Sequence, residues 1–376
     1  MSKLKEKIES YMYGEVPCLL THTVLLCLSL IYGLITSIRS ALYAACVLRS
    51  KKISAKVISV GNITAGGSGK TPVTMLLAKA LAVKGKKVAI LSRGYNRDSV
   101  GLGVVSDGDD ILLSPKDSGD EPYQMALNLL EYGIPVIVAK NRFDAAELAI
   151  RSYKADTLIL DDGFQHRALA RDLDIVLLDK GRGLGSGYLL PRGPLRESLS
   201  ALRRADLFLL KGSLDDTPAD SQKDSPDGSN KDSNSKLNFN NLKLDKPAFD
   251  FTYAPTLLKN INGKGRETVA SLKGKKVTIV SGIADPKSFI RTLESLGAII
   301  DNCITYPDHH WYTEKDLEEV RIAALSTNSD MIITTEKDAV RLRCLETGMM
   351  KIRALHVEPI IEGKEDFLKL VNEFID

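Results

Sequence analysis

Between Val57 and Leu81 an apolar, β-branched run, VISVGN, leads through the loop ITAGGSGKTP into a segment with helical spacing. The residues at this junction are of the types that hold phosphate. Gly66, Gly67 and Gly69 let a backbone wrap closely around a polyphosphate, Lys70 reaches its β and γ groups, and the Thr71 hydroxyl can ligate Mg²⁺. The stretch Thr64, Ala65, Gly66, Gly67, Ser68, Gly69, Lys70 and Thr71 is therefore the expected nucleotide-binding loop. It departs from G-x-x-x-x-G-K-[ST] at Thr64, which stands where the first glycine belongs. Glycine-rich strand-to-helix turns also occur without a ligand, but the flanking strand, the helix and the G-K-T-P ending favour the binding role.

Such a loop needs an acidic partner at the end of a neighbouring buried strand, to hold the cation directly or through water. TLILDDGFQH supplies Asp161 and Asp162 there, so the metal set is Thr71, Asp161 and Asp162. Gln165 and His166 follow in the same turn and can reach a substrate. Further polar clusters fall where strands end, the ligand-facing edge of an open α/β sheet. Arg93 lies in LSRGY, Asp120 and Glu121 in SGDEP, Arg142 in AKNRFD, and Arg192 and Arg196 in LLPRGPLRE. Each alone reads as structural, since an Asp-Glu pair before a helix is commonly a cap; their recurrence at one edge is the signal. YPDHHWY gathers Asp308, His309, His310 and Trp311, but adjacent histidines rarely share a metal and no further ligand cluster accompanies them.

The elements that position these residues alternate. KVISV, KKVAIL, IPVIVA, DTLILD, LDIVLLD and ADLFLL read as strands buried on both faces, separated by helical patterns, which implies a parallel sheet covered by helices. After the loop, Val73, Leu76, Leu77, Ala80 and Leu81 keep helical spacing, with Pro72 in the first turn and Gly85 past the end. From about Lys275 a second, smaller α/β unit follows, with KKVTIVSGI, AIID, DMIITT and IRALHV as strands and PKSFIRTLESLG and TEKDLEEVRIAALS as helices. Ser213 to Asn241, rich in Ser, Asp, Asn and Lys, is too polar to bury a core and reads as a flexible insertion. The expected organisation is an N-terminal helical segment over 1–50, a P-loop NTPase-type domain over 51–212, a polar linker over 213–245 and a C-terminal α/β domain over 246–376.

Composition excludes some classes. With 51 basic and 48 acidic residues among 376, the net charge is +3, and no basic stripe interleaved with aromatics argues for nucleic acid. The five scattered cysteines lack C-x-x-C spacing, which speaks against a disulfide framework or a zinc knuckle. No obligate protein partner is implied. Val16 to Ile38 contains no Lys, Arg, Asp or Glu, long enough for a helix to cross a bilayer core. A buried helix would read similarly, and His22, Thr21, Thr23, Ser29, Thr36 and Ser37 weaken a deep-spanning reading. The heavier basic flank, Arg39 to Lys56, places the rest of the chain on the cytoplasmic side, whether the helix spans or lies in the inner leaflet.

In order, GNITAGGSGKTP, LSRGY, GDEP, DDGFQH, LLPRGPLRE, PDHHWY and TTEKDAVRL, behind an apolar N-terminal helix, resemble the tetraacyldisaccharide 4′-kinases, the lipid A 4′-kinases of bacteria with an outer membrane. The resemblance runs from the anchor to about residue 343, and the family shares the Thr64 departure. It implies transfer of the ATP γ-phosphate to the 4′-hydroxyl of a membrane-embedded tetraacylated glucosamine disaccharide 1-phosphate, with Mg²⁺, at the cytoplasmic face of the inner membrane. By motif, Asp120 would act on the attacking hydroxyl, His309 would support it, and Lys70 would stabilise the transferring phosphoryl. Arg93, Arg142, Arg192 and Arg196 are implied candidates for the 1-phosphate or ATP, with Glu121, Gln165 and His166 beside them. The competing class is a membrane-associated partitioning-type ATPase, whose loop K-G-G-x-G-K-[ST] is approached by AGGSGKT. Its signature lysine is replaced by Ala65, and it accounts for none of the later motifs.

Overall fold

The computed structural model describes residues 8, 10–13, 19–66, 69–212, 245–262, 265–348 and 350–376. The polar stretch expected to be flexible, 213–241, lies outside the described residues, as do Gly67 and Ser68 of the glycine loop. A 26-residue helix, α1 (Leu19–Ala44), precedes the first strand. The chain then runs through β1 (Lys56–Asn62), α2 (Lys70–Val83), β2 (Val88–Ser92), β3 (Gly103–Ser106), α3 (Asp120–Leu129), β4 (Val136–Val138), α4 (Arg142–Tyr153), β5 (Thr157–Asp161), β6 (Leu173–Asp179) and β7 (Leu207–Lys211). The remainder contains β8 (Ala248–Asn260), β9 (Arg266–Thr268), β10 (Lys276–Ser281), α5 (Pro286–Ser295), β11 (Ile299–Thr305), α6 (Glu314–Ser326), β12 (Met331–Thr335), α7 (Glu336–Leu342), β13 (Ile352–Ile361) and α8 (Lys364–Ile375).

The strands form one sheet in the order β11-β10-β12-β13-β8-β7-β6-β1-β5-β2-β4-β3, with β9 paired to β8. Pairing is parallel except for β3 with β4, β8 with β13 and β8 with β9. β1 lies between β5 and β6, which buries it on both faces and makes its uniform apolar run intelligible. On one face Ile58, Val60, Ile90 and Ile159 pack with Val73, Leu77 and Leu81 of α2. On the other, Val57, Leu91, Leu158 and Leu160 meet Ala145, Ala146 and Ala149 of α4. The long strand β8 hydrogen-bonds to β7 through Ala248–Phe251 and to β13 along most of its length, so the two α/β units share a continuous ladder. Helix α8 returns at the end of the chain and inserts Phe367, Val371 and Ile375 into the core around α2.

The first unit presents the C-terminal ends of β1, β2, β4 and β5 along one edge, bearing the glycine loop, Arg93, Arg142 and Asp161. Helix α7 packs against α3 and brings the second unit to the start of α3, where Asp120 stands.

Candidate active site

Loop 64–69 is braced from both sides. The Ala65 amide donates to the Pro194 carbonyl at 2.7 Å, Thr64 forms an isolated bridge with Leu195, and the Tyr13 hydroxyl donates to the Ala65 carbonyl at 3.1 Å. Gly66 (φ 105°) and Gly69 (φ 80°) take left-handed backbone conformations that favour glycine. Helix α2 begins at Lys70 with no side chain capping it, so its first N–H groups and positive dipole end face the loop. Lys70 Nζ lies 3.4 Å from Asn62 Oδ1 and 3.5 Å from Asp162 Oδ1.

Asp161 ends β5 with 2% of its surface exposed, contacted by Thr74 Oγ1 at 3.3 Å and Ser92 Oγ at 3.5 Å. Burial, and then the charges of Glu121 and Asp162, push its carboxyl up to about 7 despite Lys70 and the Thr74 hydrogen bond. Such a buried carboxylate, short of positive charge, suits a divalent cation. Asp162 stands in the left-handed region (φ 53°), and Arg196 Nη1 donates to both its oxygens at 2.8 Å. Burial raises the Asp162 carboxyl, but Lys70 and Arg196 outweigh it and hold the group below the usual carboxylate range. Arg196 also reaches Gln165 Oε1 at 3.3 Å, while Gln165 Nε2 donates to the Asn62 carbonyl at 2.9 Å.

Across from these groups, Asp120 opens α3 with 7% exposure and meets His309 Nδ1 at 2.9 Å. Burial pushes the Asp120 carboxyl up, yet His309, by hydrogen bond and electrostatically, together with the charges of Lys337 and Arg341, more than reverses the effect. His309 has φ 62°, a left-handed backbone uncommon outside glycine though tolerated by histidine better than by most side chains, and sits in the loop after β11. His310 points elsewhere: it stacks on Tyr306 at 4.6 Å and bonds Asp316 Oδ2 at 3.0 Å. Glu121 links the two halves of the site, raising the Asp161 carboxyl on one side and lying 3.8 Å from Lys337 Nζ on the other.

The arginines divide into two groups. Arg142, 3% exposed, donates to the Ala139 and Lys140 carbonyls and leaves Nε without a partner; burial pushes its guanidinium down to about 10, with Asp161 opposing. Arg93 and Arg97 add positive charge to it, and Arg97 Nη1 is likewise buried without a partner. His166 belongs to the same cluster: burial and then Arg142, Arg171, Arg93 and Arg39 push its imidazole down to about 4, and its Nε2 has no partner. Arg192 is not part of this group. Its guanidinium bonds His22 Nδ1 at 3.2 Å and the Tyr11 carbonyl at 3.1 Å, and its amide donates to Ser29 Oγ at 2.9 Å, tying α1 to the segment that carries Arg196.

Residue-level reading overlooked Lys337, Asp338 and Arg341, which lie in TTEKDAVRL at the junction of β12 and α7. The signal was available as charged residues directly after a buried strand. Asp338 Oδ1 accepts from Gly282 N, Tyr312 Oη and Arg341 Nη2 at 3.0, 2.9 and 2.7 Å, knitting the His309 loop to α7. A concavity of about 610 Å³ bordered by Leu317, Arg321, Met331 and Met350 lies apart from all these groups, none of which lines it.

Residues 21–376 match the family model of the tetraacyldisaccharide-1-P 4′-kinases, LpxK. A tetraacyldisaccharide 4′-kinase of Syntrophus aciditrophicus is 39% identical over 353 residues, covering 92% of this chain and 91% of the relative. Another, from Halothermothrix orenii, is 36% identical over 393 residues and covers both chains fully, at 100% each. Among solved structures, LpxK from Aquifex aeolicus in complex with ATP superposes with a TM-score of 0.75 at 32% identity, covering 95% of this chain and 100% of that one. The P-loop sheet architecture, the order of the motifs and these likenesses agree: the chain belongs to the tetraacyldisaccharide-1-P 4′-kinase family.

Proposed function

We propose that this kinase transfers the γ-phosphate of ATP to the 4′-hydroxyl of a tetraacylated glucosamine disaccharide 1-phosphate in lipid A biosynthesis, at the cytoplasmic face of a bacterial inner membrane. The observation that carries the reading is the Asp120–His309 pair, 2.9 Å apart and contributed by two different units, with the adjacent Glu121 coupled to Asp161 on one side and to Lys337 on the other. A sugar hydroxyl is a poor nucleophile, so a carboxylate held ionised beside it is the group such a transfer needs. The hydroxyl oxygen forms a bond to Pγ, the bond from Pγ to the β,γ-bridging oxygen breaks, and the hydroxyl proton passes to Asp120.

The N–H groups of loop 64–71 and Lys70 hold the triphosphate. Thr71, Asp161 and Asp162 would hold Mg²⁺, whose chemistry is to neutralise charge on the β and γ oxygens. Two carboxylates and a hydroxyl suit a cation that takes its remaining ligands from nucleotide and water. Arg196, released from Asp162, serves the transferring phosphoryl, and Gln165 steadies it. Arg93, Arg142 and His166 form the site for the acceptor's own phosphate; the Arg142 Nε–H, without a partner among the described residues, is the donor in want of it, with the equally unpartnered His166 Nε2 in the same cluster. Arg192 acts by docking α1 instead of binding substrate.

The regulatory ATPase alternative is disfavoured by the family match over 21–376, which includes the acceptor-side motifs. The test is transfer from γ-labelled ATP to purified tetraacyl disaccharide 1-phosphate in micelles, for wild type, Asp120→Ala and Lys70→Ala. Labelled lipid with wild type and a loss of at least about 100-fold with each variant is expected. ATP hydrolysis without labelled lipid would overturn the reading.

A further inference from the structure

His309 is held at both ring nitrogens. Nδ1 lies 2.9 Å from Asp120 Oδ2, and Nε2 lies 3.0 Å from Lys337 Nζ. The ammonium of Lys337 has only N–H donors to offer, so at that distance Nε2 must be the acceptor, which leaves the single ring proton on Nδ1, directed at Asp120. Lys337 is steadied by Asp308 Oδ1 at 3.4 Å and Glu121 Oε1 at 3.8 Å. Asp308 Oδ2 is 3.7 Å from Nε2, too far to accept from it. The other faces of the imidazole meet the Tyr95 ring at 6.2 Å, and Arg341 Nε stands 4.0 Å from Asp120 Oδ2.

We propose that Lys337 is a positioning residue that locks His309 in the Nδ1–H tautomer, so that His309 orients the Asp120 carboxylate and does not relay its proton. The inference rests on the reading of Asp120 as the group that takes the hydroxyl proton, and it decides what the histidine does for it. A relay through the ring would require Nδ1 to be free of its proton when Asp120 is loaded, and a ring whose Nε2 receives an ammonium N–H has no such vacancy. The proton taken by Asp120 therefore leaves by way of product or water. Removing Lys337 leaves His309 between Asp120 and Asp308, with Arg341 4.0 Å from Asp120 Oδ2. The ring then takes a second proton at Nε2, and the resulting imidazolium pairs with Asp120 and makes it a weaker base.

Two measurements on the full-length protein in micelles test this. In ¹⁵N-histidine spectra, with the His309 signals identified by their loss in His309→Asn, wild type should show a protonated Nδ1 and a bare Nε2 between about pH 6 and 8. Lys337→Met should become doubly protonated in that range, and Lys337→Arg, which keeps a donor-only cation, should retain the neutral ring. In the transfer assay Lys337→Met should acquire an acid limb falling by up to about tenfold per pH unit, with recovery toward wild type at alkaline pH and unaltered KM. An Nε2–H tautomer or an imidazolium in wild type would overturn the proposal. So would a Lys337→Met variant impaired equally at every pH, as a purely structural role predicts. If the tautomer is as described but Asp120→Ala retains transfer, the reading of Asp120 fails and the lock stands as a structural feature only.

Discussion

At His166 four arginines and burial act on one imidazole, and the folded protein keeps it neutral far into the acid range, with its ionisation pushed down to about 4. In the unfolded chain the same group titrates near ~6.5. Between those two values the unfolded state binds the extra proton, so stability is complete above the upper value and declines as pH falls toward the lower one. Asp161 works in the opposite sense: its folded carboxyl, pushed up to about 7, holds a proton that the unfolded chain releases near ~3.9, so its contribution is lost as pH rises through the same window. Comparing wild type with His166→Gln cancels the Asp161 term. Thermal unfolding followed from about pH 7 to 4.5 should show the variant losing less stability on acidification than wild type. Parallel curves would mean that His166 takes up its proton in the folded protein as it does in the unfolded chain, and that burial among the arginines does not hold it neutral.

Among the elements, the turn from β1 into α2 depends on a contact invisible in local sequence. Tyr253 of β8 donates its hydroxyl to the Gly69 carbonyl at 2.8 Å, and a Cβ on Gly69 would collide with that hydroxyl. Gly69 is also left-handed at φ 80°. Gly69→Ala therefore meets two penalties, a backbone cost of about 1–2 kcal/mol and a displaced, half-buried tyrosine. We expect ATP affinity, read by calorimetry, to drop at least about tenfold, with Tm lowered by several degrees. Tyr253→Ala combined with Gly69→Ala should restore part of the nucleotide affinity; no recovery would place the whole effect in the backbone. The loop itself was legible because its chemistry is local: glycines, lysine and threonine in consecutive positions between a strand and a helix. Strand β8 was not legible, since FDFTYAPTLLKN is half-buried and interrupted by Pro255, without the uniform apolar run that betrays a central strand. The Asp120–His309 contact spans 189 residues, and the resemblance alone suggested it. The link from His309 to Lys337 required folded coordinates, because no periodicity relates a loop after one strand to the first turn of a helix after another.

For the whole molecule, the decisive question is how an enzyme whose acceptor carries four acyl chains meets it, when withdrawing each CH₂ into water costs about 0.8 kcal/mol. Helix α1 has two unlike faces. One is tied to the catalytic unit by Arg192 to His22, Ser29 to the Leu189 carbonyl, Tyr32 to the Arg196 carbonyl and Arg39 to Glu197, with Arg167 over the Tyr43 ring. These ties extend from residue 22 to 43, a rise of about 31 Å at 1.5 Å per residue. A helix bound to the protein along that whole length does not leave it to traverse a bilayer, which favours an interfacial placement over a spanning one. The other face exposes Leu20, Val24, Leu28, Ile31, Ile35 and Ile38 in helical register, an apolar stripe fit for acyl chains. Since Tyr32 and Arg39 hold Arg196 and Glu197, deleting the helix would disturb the nucleotide site as well as the lipid contact. Charging only the outward stripe separates the two. Ile31→Glu with Leu34→Glu should reduce turnover of acceptor embedded in vesicles at least about tenfold while ATP affinity and Tm stay near wild type, because both side chains are exposed and, at about 100° per residue, lie on the side of the helix away from His22, Ser29, Tyr32 and Tyr43. Equal loss of ATP affinity would show instead that this face is packed against protein, as a buried helix would be.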